Sequence, residues 1–232
     1  VLIKIGLSNY FISNIFSFIS TLFFVTGIYL ISKNLIKIII KKYSNLISVI
    51  FTSLILLSDT HLPHTDYPNA YFGTFTTGIY AIALTTLIFG LMIEGKNKLV
   101  IFFTFLLILC HPIQGLWISG LLLLVYLIEN IYISKSFNLK NLKYIILFIS
   151  ITLVFGIIFL FIYSGVNSPE IDRVLLDVWI KSWENHRFKT SVNYNYIIAT
   201  ILLSIISAFL FFIYLKKRRE KTYRFFLLVL VS

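Results

Sequence analysis

Long apolar runs recur along this chain, and they limit what it can fold into. The predicted segments are 7–32, 46–58, 73–93, 99–110, 113–131, 143–164 and 195–215, followed by an eighth that is cut off at residue 232. About 20 consecutive apolar residues form a helix long enough to cross the hydrocarbon of a bilayer. Backbone groups in lipid must bond to one another, which favours helices. The sequence therefore predicts an all-α, polytopic transmembrane bundle of about seven spans plus a truncated eighth, with the lipid bilayer as its surroundings.

Composition supports a membrane protein, because 59% of residues are hydrophobic and 12% are charged, whereas soluble domains average about 25% charged residues. Segments 46–58 and 99–110 are short, with helical rises of about 20 and 18 Å against roughly 30 Å of hydrocarbon. We expect them either to extend through flanking polar residues or to form short buried helices that open onto a cavity. Segment 35–42, "LIKIIIKK", is typical of an interfacial segment with snorkelling lysines.

The chain begins with Val1 and ends inside an apolar run. We therefore expect residues 1–232 to form a single transmembrane domain that is truncated at both ends. Cys110 is the only cysteine, which excludes a disulfide framework or a cysteine-rich metal site. The chain contains neither a nucleotide-binding glycine loop nor a serine-hydrolase elbow.

The basic residues are concentrated in alternate connections between the apolar segments. Fifteen of the 20 lie there: Lys33, Lys37, Lys41, Lys42, Lys96, Lys98, Lys135, Lys140, Lys143, Lys216, Lys217, Arg218, Arg219, Lys221 and Arg224. The positive-inside rule places these connections in the cytoplasm, so the net charge of +11 is an orientation signal and weak evidence for nucleic acid. Attraction to anionic lipid is a secondary role for the same charges. We expect a multi-pass protein of the bacterial inner membrane.

The remaining connections are 59–72, the break at 111–112 and 165–194, which should face outside. They hold all four histidines, all four prolines and six of the nine acidic residues. Because these histidines and acidic residues would all lie on one side of the membrane, the pattern indicates a functional site on the outer face. Paired charges within the apolar segments are absent from the sequence pattern, which weakens the case for an ion pump or a proton-coupled carrier.

The first outer segment contains "HLPHTDYP", residues 61–68, in which two prolines oppose a continuous helix. His61, His64 and Asp66 allow three interpretations. Two imidazoles and a carboxylate suit zinc or iron; histidines transfer protons near neutral pH or contact substrate; or the segment is a solvated helix connection.

The second outer segment is His111-Pro112, where proline predicts a tight reversal between two helices. Gly115 and Gly120 would permit close helix contact on the following helix. An ionisable group at the membrane boundary is a functional candidate. The alternative is that His111 caps the preceding helix by bonding to its last carbonyls.

The third outer segment, 165–194, predicts an amphipathic helix on the outer surface, with Trp179 and Trp183 as interface anchors. Its end carries Glu184, His186 and Arg187. Arginine beside histidine at the mouth of a membrane cavity suits a phosphate or pyrophosphate group. The alternative is an ordinary solvated charged face.

The stretch "YPNAYFGTFTTGIYAIALTTLIFGLMIEGKNKLVIFFTFLLILCHPIQGLW" resembles the middle of bacterial membrane glycosyltransferases of the GT-C type. The shared pattern is an outer loop with proline and aromatics, a span, a very short basic inner turn ("EGKNK"), a short span ending in His-Pro, and another span. The later "WENHR" resembles an outer motif of some of the same proteins. The resemblance covers residues 59–215, and its motifs are short and degenerate.

The resemblance implies a transferase that uses a polyprenyl-phosphate-linked sugar donor in an outer cavity. Such enzymes carry an acidic residue in their first outer loop, which would lie upstream of Val1, so the catalytic base is unassigned. Candidate acceptor, catalytic or metal-adjacent residues are His61, His64 and Asp66. Candidate substrate-binding residues are His111, Glu184, His186 and Arg187, of which His111, His186 and Arg187 are expected to contact the donor phosphate. A requirement for a divalent metal ion is left open. Two alternative functions remain: a transporter or flippase of a lipid-linked or anionic solute, and a non-catalytic membrane assembly protein.

Thiol labelling tests this sidedness. Asp66→Cys and Asn97→Cys, each in a Cys110→Ser background, should react differently with a membrane-impermeant maleimide in intact cells. We expect the cysteine at 66 to react from outside and the cysteine at 97 to react only after the membrane is opened. The reverse pattern would overturn the proposed orientation.

Overall fold

The computed structural model describes residues 9–57, 77–133 and 139–164, together with residues 198, 201–202, 204–210, 213, 224 and 228. These residues are helical apart from short turns, and they contain no β-strand. In chain order the elements are α1 (Asn9–Ile39), α2 (Ser44–Leu57), α3 (Thr77–Glu94), α4 (Asn97–Cys110), α5 (Pro112–Ile128), a π-helix (Glu129–Ile133) and α6 (Leu139–Ser164).

The all-helical prediction is confirmed for this part of the chain, since the first six predicted segments fall on α1 to α6. Described residues of the segment 195–215, and residues 224 and 228 closer to the end of the chain, are also helical. The outer connections 59–72 and 165–194, including the predicted amphipathic helix, lie outside the described residues. The GT-C fold and the number of spans remain predictions.

Two helices in the described ranges are long and apolar enough to cross a membrane, Ser13–Ile39 and Pro112–Ile131. Four shorter apolar helices accompany them: Ser44–Leu56, Gly78–Glu94, Asn97–Cys110 and Leu142–Ile158. The two segments predicted to be short form helices of only 14 residues each, α2 and α4. Flanking polar residues add little to the length of these two helices. Each packs against a neighbouring helix of the bundle, α2 against α1 and α4 against α3.

Helix α1 runs further than its predicted end at residue 32. It continues to Ile39, so residues 35–39 of "LIKIIIKK" belong to α1, and an interfacial position for this segment stays a prediction. No glycine or proline lies between Gly27 and Tyr43 to stop the helix. The chain then reverses through a short turn into α2.

Helix α3 lies at the centre of the described bundle, where it packs against α1 and α4. Its core side chains are fully or almost fully buried: Tyr80, Ala81, Leu84, Leu87, Ile88, Leu91, Met92 and Ile93. Helix α5 packs in turn against α4 and α6. A helix that is apolar on all sides is expected at such a buried position.

The α1–α3 contact is close enough to require glycine. A Cβ atom on Gly27 would lie 2.5 Å from the carbonyl carbon of Thr86, and one on Gly90 would lie 2.9 Å from the carbonyl oxygen of Gly27. Small residues let helix backbones approach in this way, which is a common basis of association in membranes. The two glycines therefore set the distance between α1 and α3.

The turn "EGKNK" is confirmed as a very short connection. Gly95 adopts a positive φ of 79°, its N–H donates to the Met92 carbonyl at 3.1 Å, and the Lys96 N–H donates to the Leu91 carbonyl at 2.9 Å. This is a Schellman cap, which satisfies the last carbonyls of α3. Helix α4 begins at Asn97 and returns antiparallel to α3.

Gly27→Ala should destabilise the bundle by about 1–3 kcal/mol, the usual cost of overpacking a tight contact. Gly156→Ala is the matched control, because a Cβ there would meet nothing within 4 Å. We expect that change to be neutral or to stabilise the helix by up to about 1 kcal/mol. Unfolding of the purified full-length protein by SDS, followed by circular dichroism, measures both. Equal midpoints for the two variants would contradict the close α1–α3 contact.

Candidate functional site

The His111-Pro112 turn reverses the chain within one residue. Helix α4 ends at Cys110 and α5 begins at Pro112. The His111 N–H donates to the Leu107 carbonyl at 2.8 Å, and its own carbonyl accepts from the Gly115 N–H at 2.9 Å. Pro112 occupies the first helical position, where its missing N–H costs nothing. The predicted tight reversal is confirmed.

The His111 imidazole caps the following helix. The Gln114 N–H donates to Nδ1 at 3.4 Å, so the ring closes the first turn of α5, and the backbone N–H of the same residue closes α4. The suggestion that the side chain bonds to the last carbonyls of α4 is therefore wrong. Nδ1 is thereby used by the cap, and Nε2 is the ring nitrogen available to a ligand such as a phosphate oxygen.

Close helix contact was predicted at two glycines of α5, Gly115 and Gly120, and the structure shows it at Gly115. A Cβ on Gly115 would lie 2.5 Å from the Ile108 Cα, so α4 and α5 touch directly beside the reversal. Within the described part of the chain, nothing lies within 4 Å of a Cβ placed on Gly120, so the predicted close helix contact is not found there. Five residues turn an α-helix by about 140° beyond a full turn, which moves Gly120 off the face that meets α4.

Polar side chains tie the turn and α5 to neighbouring helices. The Gln114 side chain donates to the Thr85 hydroxyl at 3.2 Å, joining the start of α5 to α3. Further along α5, the hydroxyls of Ser119 and Thr152 are 2.7 Å apart and join α5 to α6. Hydrogen bonds between helices hold the orientation of α5, and therefore that of His111.

The remaining predicted site residues are not placed by the structure. Six lie outside the described residues: His61, His64, Asp66, Glu184, His186 and Arg187. Their roles stay predictions, as does their convergence with His111. Within the described ranges, no group of three or more His, Cys, Asp or Glu side chains is arranged to hold a metal ion.

An ion pair is buried at the opposite end of the bundle. The Nη2 atom of Arg224 lies 2.7 and 2.8 Å from the two carboxylate oxygens of Glu129. Nη1 donates to the Met92 carbonyl at 3.0 Å and to Oδ1 of Asn97 at 3.3 Å. The guanidinium carbon is 5.9 Å from the ring centroid of Tyr126. Arg224 thus joins the end of α3, the start of α4 and the end of α5.

This pair was not predicted from the sequence. The charge pattern places Arg224 in a cytoplasmic connection, and it predicts no paired charges within the apolar segments. In the structure the Arg224 and Glu129 side chains are only 3% and 10% exposed. A lone carboxylate at the end of an apolar segment was the available signal, since a buried charge requires a partner. Arginine suits the role because its planar fork of donors reaches several acceptors at once.

Glu129 also begins the π-helix at the end of α5. Together with Asn130 it is buried, whereas Ile131 is 65% exposed. Single π turns inside helices are rare and often occur at functional sites. The wider turn here coincides with the residue that binds Arg224.

A second carboxylate cross-links α1 and α3 at the same end. Asn34 Nδ2 donates to Glu94 Oε2 at 2.7 Å, and Lys33 Nζ lies 3.4 Å from Glu94 Oε1. Glu94 follows the apolar segment 73–93. Desolvation raises the pKa of this carboxyl, but the Asn34 hydrogen bond and the Lys33 charge outweigh it and hold the pKa below its usual value. The carboxylate is therefore charged at neutral pH and remains a partner for both side chains.

Removing one member of the buried pair should cost more than removing both. Glu129→Leu or Arg224→Leu leaves an uncompensated buried charge and should lower the free energy of unfolding by about 3–5 kcal/mol. The double variant should lose less than either single variant, because no charge is stranded. Lys33→Gln is the control for a partly exposed pair, with an expected loss of about 0–1 kcal/mol. SDS unfolding of the full-length protein measures all four.

A double variant less stable than both single variants would contradict this interpretation of the pair.

The contact between Asn97 and Arg224 also bears on thiol labelling. Lys98 is exposed and makes a less disruptive inner position for a cysteine than Asn97.

Known proteins supply no family for this arrangement. No protein-family model, curated protein or solved structure matches the chain.

Proposed function

We propose that the chain is part of a multi-pass membrane glycosyltransferase of the GT-C type. It transfers a sugar from a polyprenyl-phosphate-linked donor at the outer face. The observation that carries the proposal is the one-residue His111 turn at the end of the bundle opposite the basic "EGKNK" connection. Helices α3, α4 and α5 also follow the order of the resembled pattern, with a short α4 that ends in His-Pro.

The chemistry at the outer end suits a lipid-phosphate leaving group. In such a transfer an acceptor hydroxyl attacks the anomeric carbon and loses its proton, while the bond to the phosphate oxygen breaks and leaves negative charge on the lipid phosphate. Donors aimed at that developing charge lower the barrier. His111 offers its Nε2 nitrogen, and His186 and Arg187 follow as predicted phosphate contacts, while Glu184 is assigned to another part of the bound substrate. His61, His64 and Asp66 are assigned to the acceptor side, and the general base is left unassigned.

The proposed orientation places the basic connections in the cytoplasm and the histidines outside, in the inner membrane of a bacterium. Two helices long enough to cross a bilayer support a membrane location. The alternation of basic and histidine-bearing connections supports several crossings.

A transporter or flippase is the second candidate, and the buried Arg224–Glu129 pair favours it. Ionisable residues within membrane helices often mark ion or substrate paths. The expected absence of paired charges was the argument against a carrier, and the structure removes that argument. The same outer residues would then line a vestibule for the lipid-linked or anionic solute.

Sugar transfer by the full-length protein in liposomes tests the first candidate. The substrates are a panel of radiolabelled polyprenyl-phosphate hexoses and pentoses, and the readout is sugar released from the lipid or transferred to an acceptor. His111→Asn should lower transfer by about 100-fold, the usual effect of losing one donor to a developing charge. Asparagine is a good N-cap, so this variant should fold like the wild type. His111→Ala loses both the cap and the donor.

Equal activity of His111→Asn and the wild type would assign His111 to capping alone. Unchanged transfer in His111→Asn, His61→Gln, His64→Gln and Arg187→Gln would sink the site as a whole. Movement of intact donor lipid between leaflets, without cleavage of the sugar–phosphate bond, would favour the flippase.

A further inference from the structure

An open groove lies between α4 and α6 at the end of the bundle that carries the basic connections. Both helices pack on α5 but make few contacts with each other, which leaves a cavity of about 480 Å³. Its main lining residues are Lys98 and Ile101 from α4 and Lys143, Tyr144, Leu147 and Ser150 from α6. None of the described lining residues is acidic.

The groove has a cationic end and an apolar length. Lys98 lies in the first turn of α4 and Lys143 near the start of α6, and both side chains are exposed. Lys143 Nζ is 5.0 Å from the centroid of the Tyr144 ring. Both helices start at this end, so later residues lie deeper. Seven residues of helix place Ser150 about 10 Å below Lys143.

We propose that this groove binds an anionic phospholipid of the inner leaflet. The headgroup phosphate lies between Lys98 and Lys143, and an acyl chain lies along Ile101 and Leu147. Two ammonium groups without a carboxylate among the described lining complement a phosphate. Basic pockets between helices on the cytoplasmic side are known binding places for anionic headgroups. The apolar wall distinguishes a lipid from a free phosphate, which would leave that wall without a ligand.

Aromatic contacts connect the groove to the buried ion pair. Tyr144 stacks on Tyr126 with ring centroids 5.7 Å apart and an angle of 25° between the planes. Tyr126 lies in turn beneath the Arg224 guanidinium. A lipid that packs on Tyr144 therefore orders the side chains around Arg224 and Glu129. Because binding to the folded state stabilises it, the bound lipid should raise the unfolding midpoint.

Lys42 provides a matched control within the chain. It lies in the turn between α1 and α2, is exposed, and has its Nζ 5.4 Å from the centroid of the Tyr43 ring. Its charge and aromatic neighbour therefore match those of Lys143. It does not line the groove. Comparing variants of Lys143 and Lys42 distinguishes lipid binding in the groove from general electrostatic attraction of basic residues to the membrane surface.

Native mass spectrometry of the full-length protein in detergent measures the site directly, with phosphatidylglycerol and phosphatidylcholine added at equal concentration. The wild type should retain phosphatidylglycerol preferentially. Lys98→Gln and Lys143→Gln should each weaken that binding about fivefold, and together about 25-fold, since a basic residue near an anionic surface contributes roughly 1 kcal/mol. Lys42→Gln should stay within about twofold of the wild type, because its charge lies outside the groove. Ser150→Trp fills the apolar part and should weaken binding with no change in charge.

Three results would overturn the proposal. One is an equal loss in Lys42→Gln, which would show diffuse attraction. Another is full binding by the double lysine variant, which exchanges two exposed side chains and should not disturb folding. The third is displacement of the lipid by glycerol phosphate at the same concentration, which would show that the apolar wall contributes nothing. These measurements need no sugar donor, so failure of the glycosyltransferase proposal would leave their result unchanged.

Discussion

A guanidinium buried among apolar helices must be compensated, and Arg224 draws its compensation from three of them. The Glu129 carboxylate at the end of α5 supplies the opposite charge, while the Met92 carbonyl of α3 and the Asn97 side chain of α4 accept hydrogen bonds from Nη1. Moving any one of these helix ends would strand a charge or a donor in a poorly solvated place, which is costly. The pair therefore fixes the relative positions of α3, α4 and α5 at the end of the bundle opposite His111.

The two ends of the bundle are consequently held in different ways. The end that carries Arg224 relies on charge, with Glu94 joining α1 to α3 beside the Arg224 cluster. Among the described residues, the end that carries His111 is held by close backbone approach and neutral hydrogen bonds, through Gly115 against α4 and Gln114 against α3. Neutral contacts are the less costly to rearrange when water or a ligand enters.

Periodic and local features were predictable from the sequence, and contacts between distant segments were not. The apolar runs, the Gly95 turn and the His-Pro reversal follow from local rules on hydrophobic length, left-handed caps and missing N–H groups. The burial of Arg224 depends on Glu129, 95 residues earlier, and no local pattern encodes that distance. The direction of the His111 cap was missed because both adjoining helices offer groups for it. Of the predicted outer site, the structure places His111 alone.

The cap formed by His111 links this local geometry to the chemistry proposed for the same end of the bundle. Because Nδ1 accepts from the Gln114 N–H, Nε2 is the ring nitrogen that the cap does not use. One ring nitrogen can make one oriented hydrogen bond, whereas the planar fork of an arginine reaches several oxygens at once. In the proposed transfer, His111 would therefore orient the donor phosphate, and Arg187, which lies outside the described residues, would supply the positive charge beside it.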